Sequence, residues 1–93
     1  MVYKVIYSEK AEKDLEKLEK AVSGRILKKI FKWSQDKTPL KQSKKLKGLR
    51  RDTHRYRIGD YRIIFTIDPV TQSLVILLIV RVLHRREVYN ASL

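Results

Sequence analysis

The stretch His54–Thr66 constrains the fold of this chain more than any other part of the sequence. Within it, two runs of alternating apolar and polar residues flank the dipeptide Gly59-Asp60. A two-residue loop with glycine first suits a type II′ turn, whose twist matches that of two paired antiparallel strands. The pattern therefore predicts a tight β-hairpin in which Arg57 lies directly opposite Arg62.

This register sorts the side chains of the hairpin onto two faces, because directly opposed residues share a face. One face is predicted to pack a core and holds His54, Tyr56, Ile58, Tyr61, Ile63, Phe65 and Ile67. Arg55, Arg57 and Arg62 gather on the other face, and Arg55 lies opposite Ile64. A solvated sheet face often carries charges, but like charges directly opposite each other destabilise a hairpin. Three arginines without a carboxylate among them therefore favour a phosphate ligand.

Length and composition predict one domain that spans residues 1–93, large enough for a modest core. Because the chain has no cysteine, disulfides and thiolate chemistry are excluded. The N-terminus lacks the layout of a signal peptide, and the longest apolar run is far shorter than the roughly 20 residues that span a bilayer. We expect a soluble, cytoplasmic protein without a membrane partner.

The net charge of +12 is distributed unevenly along the chain. The first 22 residues carry five basic and five acidic side chains, whereas residues 37–62 carry ten Lys or Arg against two Asp. Charge this lopsided predicts attraction to a polyanion, of which nucleic acid is the usual one. A membrane surface is disfavoured, since no amphipathic helix here pairs a basic face with a broad apolar one.

The first third of the chain predicts a strand followed by two helices. Residues 2–7 alternate as a strand does, and Ser8 can cap a helix that starts behind it. Apolar residues then recur at helical spacing as far as Val22, and Ser23-Gly24 interrupts the pattern. A second amphipathic helix with a basic outer face follows, and Thr38-Pro39 ends it, because the residue before proline is pushed out of the helical region. Trp33 is predicted to take a core or edge position rather than to stack on a base.

Two further stretches bear on the sheet and on its charge. Residues 40–51 form a basic connector that leads into the hairpin, and its proposed phosphate contacts are Lys41, Lys44, Lys45, Lys47, Arg50 and Arg51. The three glycines are isolated, so no nucleotide-binding loop is predicted. The nearly unbroken apolar run 74–83 predicts a strand that is buried on both faces and central in the sheet.

The chemistry that these residues can support is limited. The two histidines lie on different segments and no carboxylate pair has ligand spacing, so we expect neither metal nor cofactor. RNA cleavage by attack of a 2′-hydroxyl on the adjacent phosphate needs only cations around that phosphate, a base and an acid. The arginines supply the cations, and the tail 84–89 adds an imidazole, a carboxylate and a phenol.

Three motifs in this order carry a family resemblance: 46–49 (Leu-Lys-Gly-Leu), 56–65 (Tyr-Arg-Ile-Gly-Asp-Tyr-Arg-Ile-Ile-Phe) and 82–89 (Val-Leu-His-Arg-Arg-Glu-Val-Tyr). Together they resemble the RelE/ParE toxin superfamily over nearly the whole chain. The resemblance implies an α+β fold with an N-terminal strand, a helical hairpin and then an antiparallel sheet (β-α-α-β-β-β). It also implies a toxin that is neutralised by a cognate antitoxin protein.

Within that superfamily, RelE-like members cut mRNA on the ribosome without a metal, whereas ParE-like members poison DNA gyrase. The tail that ends in Tyr89 is more similar to the RelE-like branch, so ribosome and mRNA are the expected partners. The alternatives are a gyrase inhibitor without catalysis and a plain RNA-binding domain.

The resemblance also implies roles for individual residues. The implied catalytic residues are Arg57, Arg62, His84, Arg85 and Tyr89; Arg55, Arg81 and Arg86 join the connector as RNA contacts. Some RelE-like proteins carry lysines where this chain has Arg55 and Arg57. Because arginine is a poor general base, the base is expected at His84, Glu87 or Tyr89.

Overall fold

The computed structural model describes residues 2–36, 43–45 and 53–88. In chain order these residues form β1 (Val2–Tyr7), α1 (Glu9–Glu16), α2 (Lys20–Ser34), β2 (Ser43–Lys45), β3 (Thr53–Ile58), β4 (Tyr61–Pro69) and β5 (Leu74–His84). The strands make one five-stranded sheet in the order β1-β5-β4-β3-β2. The predicted α+β fold is confirmed, with two differences. β1 pairs parallel to β5, so the sheet is mixed, and Ser43–Lys45, predicted as part of a connector, adds a short edge strand to β3.

The step from β1 into α1 follows the prediction. The Ala11 backbone N–H donates to Ser8 Oγ over 3.1 Å, which satisfies one of the free N–H groups at the start of the helix. The same hydroxyl donates to the carbonyl of Val80 in β5 over 2.8 Å. Ser8 therefore fixes the start of the helix against a particular point of the sheet.

The predicted boundary between the helices is wrong. α1 ends at Glu16, α2 begins at Lys20, and Ser23-Gly24 lies inside α2. The apolar spacing did not reveal the break between the helices, because it continues through the junction. Leu15 and Leu18 before α2 and Val22 within it all pack against the same core. α2 also ends at Ser34, earlier than predicted, while Thr38-Pro39 lies outside the described residues.

The core lies between the helices and one face of the sheet, here called the inner face. Its largest side chain is Trp33, which is 2% exposed, as predicted for a core position. The Trp33 indole stacks on the Tyr56 ring at 4.5 Å and meets the Phe65 ring edge-on at 4.9 Å. Aromatic contacts of this kind add to the free energy gained from burying the rings.

β5 is internal, between β1 and β4, but it is not buried on both faces. Val75, Leu77 and Ile79 are buried on the inner face, whereas Ile76 and Leu78 on the outer face are only half-buried. The prediction of two buried faces is therefore wrong for residues 74–80 and holds only at the end of the run, where Val82 and Leu83 lie on opposite faces and are both buried. Along residues 74–80 the continuous apolar run therefore marks a strand with one fully buried face.

A β-bulge interrupts the pairing of β4 with β5. Ile64 pairs with Arg81 while Phe65 pairs with Ile79, so Val80 is the extra residue. An extra residue reverses the alternation of side chains beyond it. As a result Val82 packs in the core, although an unbroken alternation from Ile79 would place it on the outer face. Within the described part of the chain, no helix is both long and apolar enough to cross a membrane.

Candidate nucleic-acid interface

The hairpin of β3 and β4 forms as predicted, with Arg57 opposite Arg62, Ile58 opposite Tyr61 and Arg55 opposite Ile64. Gly59 begins the two-residue turn and has a φ of 57°. A residue with a side chain adopts this backbone conformation only at a cost, so glycine is what the tight turn requires. The turn in this way fixes the register that places the arginines opposite each other.

Four cations meet on the outer face of the sheet. β2 places Lys44 directly opposite Arg55, next to the pair formed by Arg57 and Arg62. These four side chains, here called the cationic cluster, line a depression of about 260 Å³. Strand pairing alone brings like charges together at two neighbouring positions. Such an arrangement destabilises the sheet and attracts an anion.

Arg62 lies at the electrostatic centre of this group. Partial burial and then the positive charges of Arg57, Arg55 and Arg85 lower the pKa of Arg62, and the carboxylate of Asp60 acts in the opposite direction. An arginine nevertheless keeps its charge at any physiological pH. Its side chain is also held in place, because Nη1 donates to the carbonyl of Gly59 over 2.8 Å and to that of Tyr61 over 3.1 Å. The Arg62 guanidinium is thus a cation of fixed orientation that is surrounded by other positive charges.

Arg85 joins the cluster from the turn after β5. Its backbone N–H donates to the Asp60 carbonyl over 2.7 Å, and its Nε lies 3.7 Å from Asp60 Oδ1. The ion pair is exposed, so it contributes little to stability. The backbone hydrogen bond holds the turn after β5 beside the hairpin turn, and the positive charge of Arg85 there acts on Arg62.

His84, by contrast, lies on the inner face. It pairs directly with Tyr61, which shares a face with Ile58 and packs against the core. The His84 and Tyr61 rings meet edge to face at 5.5 Å. Nδ1 of His84 accepts a hydrogen bond from the Arg86 backbone N–H over 3.2 Å. The neutral ring therefore carries its proton on Nε2, which makes Nε2 a donor rather than a base.

Arg81 is engaged by a residue that sequence reasoning missed. Its Nε and Nη2 donate to Asp14 Oδ2 and Oδ1 over 2.8 and 3.0 Å. The Asp14 carboxylate, whose side chain is 9% exposed, also accepts the backbone N–H of Val82 over 2.9 Å. The hydrogen bond to Asp14 raises the pKa of Arg81 above its ordinary value. The guanidinium predicted to contact RNA thus ties α1 to the sheet just beyond the bulge.

The sequence contained a signal for this contact. An arginine inside an otherwise apolar strand needs a carboxylate partner, because a buried charge is tolerated only when it is paired. Asp14 is the least exposed carboxylate among those that form ion pairs in the described residues. The acid and the cation lie 67 residues apart, so no local pattern connects them.

The other predicted contacts are only partly described by the structure. Arg86 lies exposed in the turn after β5. For Lys45 only the backbone, in β2, is described. Lys41, Lys47, Arg50, Arg51 and Tyr89 lie outside the described residues. The predicted set is therefore divided, with Lys44, Arg55, Arg57, Arg62 and Arg85 brought together and His84 and Arg81 placed elsewhere.

Comparison with known proteins places this geometry in a family. The sequence model for the ParE toxin of type II toxin-antitoxin systems, parDE, matches residues 5–89. No curated protein shows significant similarity to the chain.

Solved structures give the same assignment. The toxin-antitoxin complex RelBE2 from Mycobacterium tuberculosis contains a chain with 30% identity and a TM-score of 0.72, and the match covers 91% of this chain and 100% of that one. The archaeal RelE-RelB complex from Pyrococcus horikoshii OT3 matches with 27% identity and a TM-score of 0.63, over 91% of this chain and 97% of that one. Free RelE toxin from E. coli, at 23% identity, shares the fold with a TM-score of 0.65 over 97% of this chain and 93% of that one. The protein belongs to the ParE toxin family within the RelE/ParE superfamily and is the toxin of a type II toxin-antitoxin pair.

Proposed function

We propose that this toxin is a ribosome-dependent endoribonuclease that cuts mRNA by attack of a 2′-hydroxyl on the adjacent phosphate, without a metal. The observation that carries the proposal is the cationic cluster, in which four cations line one depression of about 260 Å³. Attack on the phosphate builds negative charge on its oxygens in the transition state. Fixed donors aimed at that charge provide the largest single contribution to catalysis of this kind.

Arg57 and Arg62 are assigned to the scissile phosphate. They are directly opposite each other, and a planar guanidinium can donate two parallel hydrogen bonds to one phosphate. The carbonyls that hold Arg62 fix its orientation before the substrate arrives, so little ordering is needed at the moment of reaction. Lys44, Arg55 and Arg85 extend the positive surface along the RNA backbone.

Proton transfer is assigned to Glu87 and Tyr89: the Glu87 carboxylate takes the proton of the attacking 2′-hydroxyl, and the Tyr89 hydroxyl gives a proton to the leaving 5′-oxygen. Because Arg86 occupies Nδ1, the neutral ring of His84 can donate a hydrogen bond from Nε2 to a phosphate oxygen, but it transfers no proton itself. The His84 ring lies on the inner face of the sheet, beside Tyr61. To reach a phosphate at the cationic cluster it would have to approach around the end of β4 and β5. We therefore propose that His84 contributes less to the rate than Arg62 does.

The proposed partner in the resting cell is a cognate antitoxin. The related toxins from M. tuberculosis and P. horikoshii were solved in complex with their antitoxins. A chain with a net charge of +12 would be complemented by an acidic antitoxin segment.

A second candidate function is inhibition of DNA gyrase without catalysis. The matching family model, that of the ParE toxin, favours it. So does the position of His84, since the described outer face combines many cations with no imidazole. A protein that only binds gyrase needs no proton-transfer group.

One experiment separates the two functions. The toxin is induced without antitoxin, a translated message is mapped by primer extension, and plasmid supercoiling is followed in the same cells. In-frame cuts that disappear in Arg62→Ala but persist in Lys10→Gln, a charge change on the exposed face of α1, support the endonuclease. Intact message with relaxed plasmid DNA supports gyrase inhibition and overturns the endonuclease.

A further inference from the structure

The exposed surface of α2 is divided into two flanks of different chemistry. One flank carries Arg25, Lys28, Lys29 and Lys32, all of them exposed. Their spacing of three, four and seven residues places them on one side of the helix. The other flank carries Leu27 and Phe31, which are 41% and 67% exposed. The four cations form what is here called the α2 ridge, on the helical layer and so on the opposite side of the sheet from the cationic cluster.

The ridge is electrostatically unfavourable in the isolated protein. α2 contains five basic residues and no acidic one. Arg25 and Lys29, like Lys28 and Lys32, are like charges four residues apart, which destabilises a helix. α1 shows the usual alternative, with Lys13 Nζ lying 3.2 Å from Glu9 Oε1. In the described part of the chain, the ion pairs engage Lys13, Arg81 and Arg85 and no cation of the ridge. The acid Asp36, just beyond the end of α2, lines a depression together with Lys29 and Lys32.

A glycine lies beside the ridge without a packing reason. Gly24 is in the interior of α2, where glycine is less stable than alanine. A Cβ at this position would meet nothing within 4 Å, so no neighbour in the described structure excludes a side chain. Gly24 lines an open depression of about 560 Å³ on the surface of α2, together with Lys20, Ala21, Arg25, Lys28 and Lys29. Glycine at such a place allows a ligand to approach the backbone closely.

We propose that the α2 ridge, together with the adjacent Gly24, is a second RNA-binding surface that binds the phosphate backbone of structured RNA and takes no part in cleavage. The four cations span seven residues, or about 10 Å of helix axis, a length over which a duplex carries several phosphates. Lysine predominates in the ridge, and lysine is depleted at protein–protein interfaces. An RNA backbone therefore fits the ridge better than a protein partner, which would use the apolar flank.

The proposal rests on the proposed function only in taking the ribosome as the source of that RNA. Two surfaces on opposite sides of the sheet would then bind different parts of the RNA. The cationic cluster would take the scissile strand, and the α2 ridge would hold the protein against ribosomal RNA.

The test measures binding of purified toxin to 70S ribosomes with an empty A site, as a function of salt concentration. The ridge variant Lys28→Gln/Lys29→Gln/Lys32→Gln is compared with the α1 variant Lys10→Gln/Lys13→Gln/Lys17→Gln, which removes the same charge from the other helix. Each lost phosphate contact reduces the slope of log affinity against log salt by about 0.7 to 0.9. We expect the ridge variant to lose about 2 from that slope and on the order of tenfold in affinity, and the α1 variant to stay close to wild type.

A cleavage assay on the same variants distinguishes failure of the ridge proposal from failure of the endonuclease proposal. On saturating ribosomes the ridge variant should cut at the wild-type rate, whereas Arg62→Ala should bind and cut about 10²- to 10³-fold more slowly. If the wild-type toxin binds ribosomes but cuts nothing, the endonuclease proposal fails and the binding comparison still decides the role of the ridge. Equal slopes and affinities for the ridge variant and wild type would overturn the ridge proposal, as would ridge substitutions that weaken only antitoxin binding.

Gly24→Leu provides a test without any change of charge. The substitution should raise the melting temperature, because leucine favours a helix and has open space around its Cβ. It should nevertheless weaken ribosome binding severalfold by filling the depression. A Gly24→Leu protein that is more stable and binds as tightly as wild type would show that the glycine is not part of the surface.

Discussion

The two faces of the β3–β4 hairpin are built from the same two strands and serve opposite purposes. On the inner face, Tyr56, Ile63 and Phe65 pack against α2 and the neighbouring strands. On the outer face, Arg57 and Arg62 oppose each other across the strands and face no carboxylate directly. Residues that alternate along one backbone therefore divide between a face that stabilises the fold and a face that costs stability. The like charges on the outer face lower the stability of the fold, and binding of an anionic ligand accounts for their presence.

The inner face should show the largest effect on stability. Phe65→Ala removes a ring that is 0% exposed and leaves a cavity beside Trp33. We expect the free energy of unfolding to fall by about 3–5 kcal/mol, as measured by denaturant titration of the purified toxin. Phe65→Leu, which keeps most of the volume, should lose clearly less. A Phe65→Ala protein as stable as Phe65→Leu would show that the ring does not anchor the core.

The outer face should show its largest effect in activity. Arg62→Ala removes the central cation of the cluster, and loss of one well-placed donor to a charged transition state typically slows a reaction by about 10²- to 10³-fold. Single-turnover cleavage on programmed ribosomes measures this rate, with Lys10→Gln as the charge control. The free energy of unfolding should change little, because the Arg62 side chain makes its hydrogen bonds within the hairpin turn. Cleavage at the wild-type rate would remove Arg62 from the site.

Asp14 stabilises the part of β5 just after the bulge. Its carboxylate holds Arg81 and the Val82 N–H just after the bulge, where β5 changes the side to which its residues point. Asp14→Ala would leave a poorly exposed guanidinium without its carboxylate, and we expect a loss of about 1.5–3 kcal/mol in the free energy of unfolding. Glu9→Ala breaks the exposed pair with Lys13 and should cost little. Equal losses for the two variants would mean that burial adds nothing to the Asp14 contact.

The bulge also marks the limit of what the sequence could predict. The hairpin, its register and the Ser8 cap depend on neighbouring residues, so local patterns predicted them correctly. The face on which His84 lies depends on the extra residue Val80, whose carbonyl is satisfied by Ser8 from the far end of the chain. A strict two-residue alternation would place His84 with the arginines, and the bulge moves it to the side of Tyr61. Long-range contacts of this kind leave no local pattern.

That position predicts a modest role for the imidazole. His84→Gln should slow cleavage by less than about tenfold, far less than Arg62→Ala, because the ring packs on Tyr61 away from the cluster. Imidazole is the side chain that ordinarily titrates between pH 5 and 8, so the rate profile over that range is the decisive measurement. A profile that His84→Gln flattens, with a loss of 10²-fold or more, would place the ring in the chemistry despite its position.

The smallest effect concerns the repulsion within the hairpin itself. Arg57 lies directly opposite Arg62, and its charge is among the causes that lower the Arg62 pKa. Opposed like charges cost a hairpin a few tenths of a kcal/mol or more. Arg57→Gln should therefore raise the free energy of unfolding by about 0.2–1 kcal/mol at low salt. Lys4→Gln is the control, since Lys4 is exposed on β1 and pairs with Ile76, so its removal relieves no directly opposed charge.

Salt distinguishes relief of repulsion from a change in strand propensity. Repulsion between exposed charges is screened when the Debye length falls from about 10 Å at 0.1 M salt to about 3 Å at 1 M. The advantage of Arg57→Gln over wild type should therefore shrink as salt is added, whereas a gain from strand propensity would persist. The same variant should cut RNA more slowly, because it removes a donor to the scissile phosphate. An Arg57→Gln toxin that is more stable and less active than wild type would show directly that the outer face lowers stability in return for activity. An Arg57→Gln toxin that is less stable than wild type at low salt would contradict this account of the hairpin.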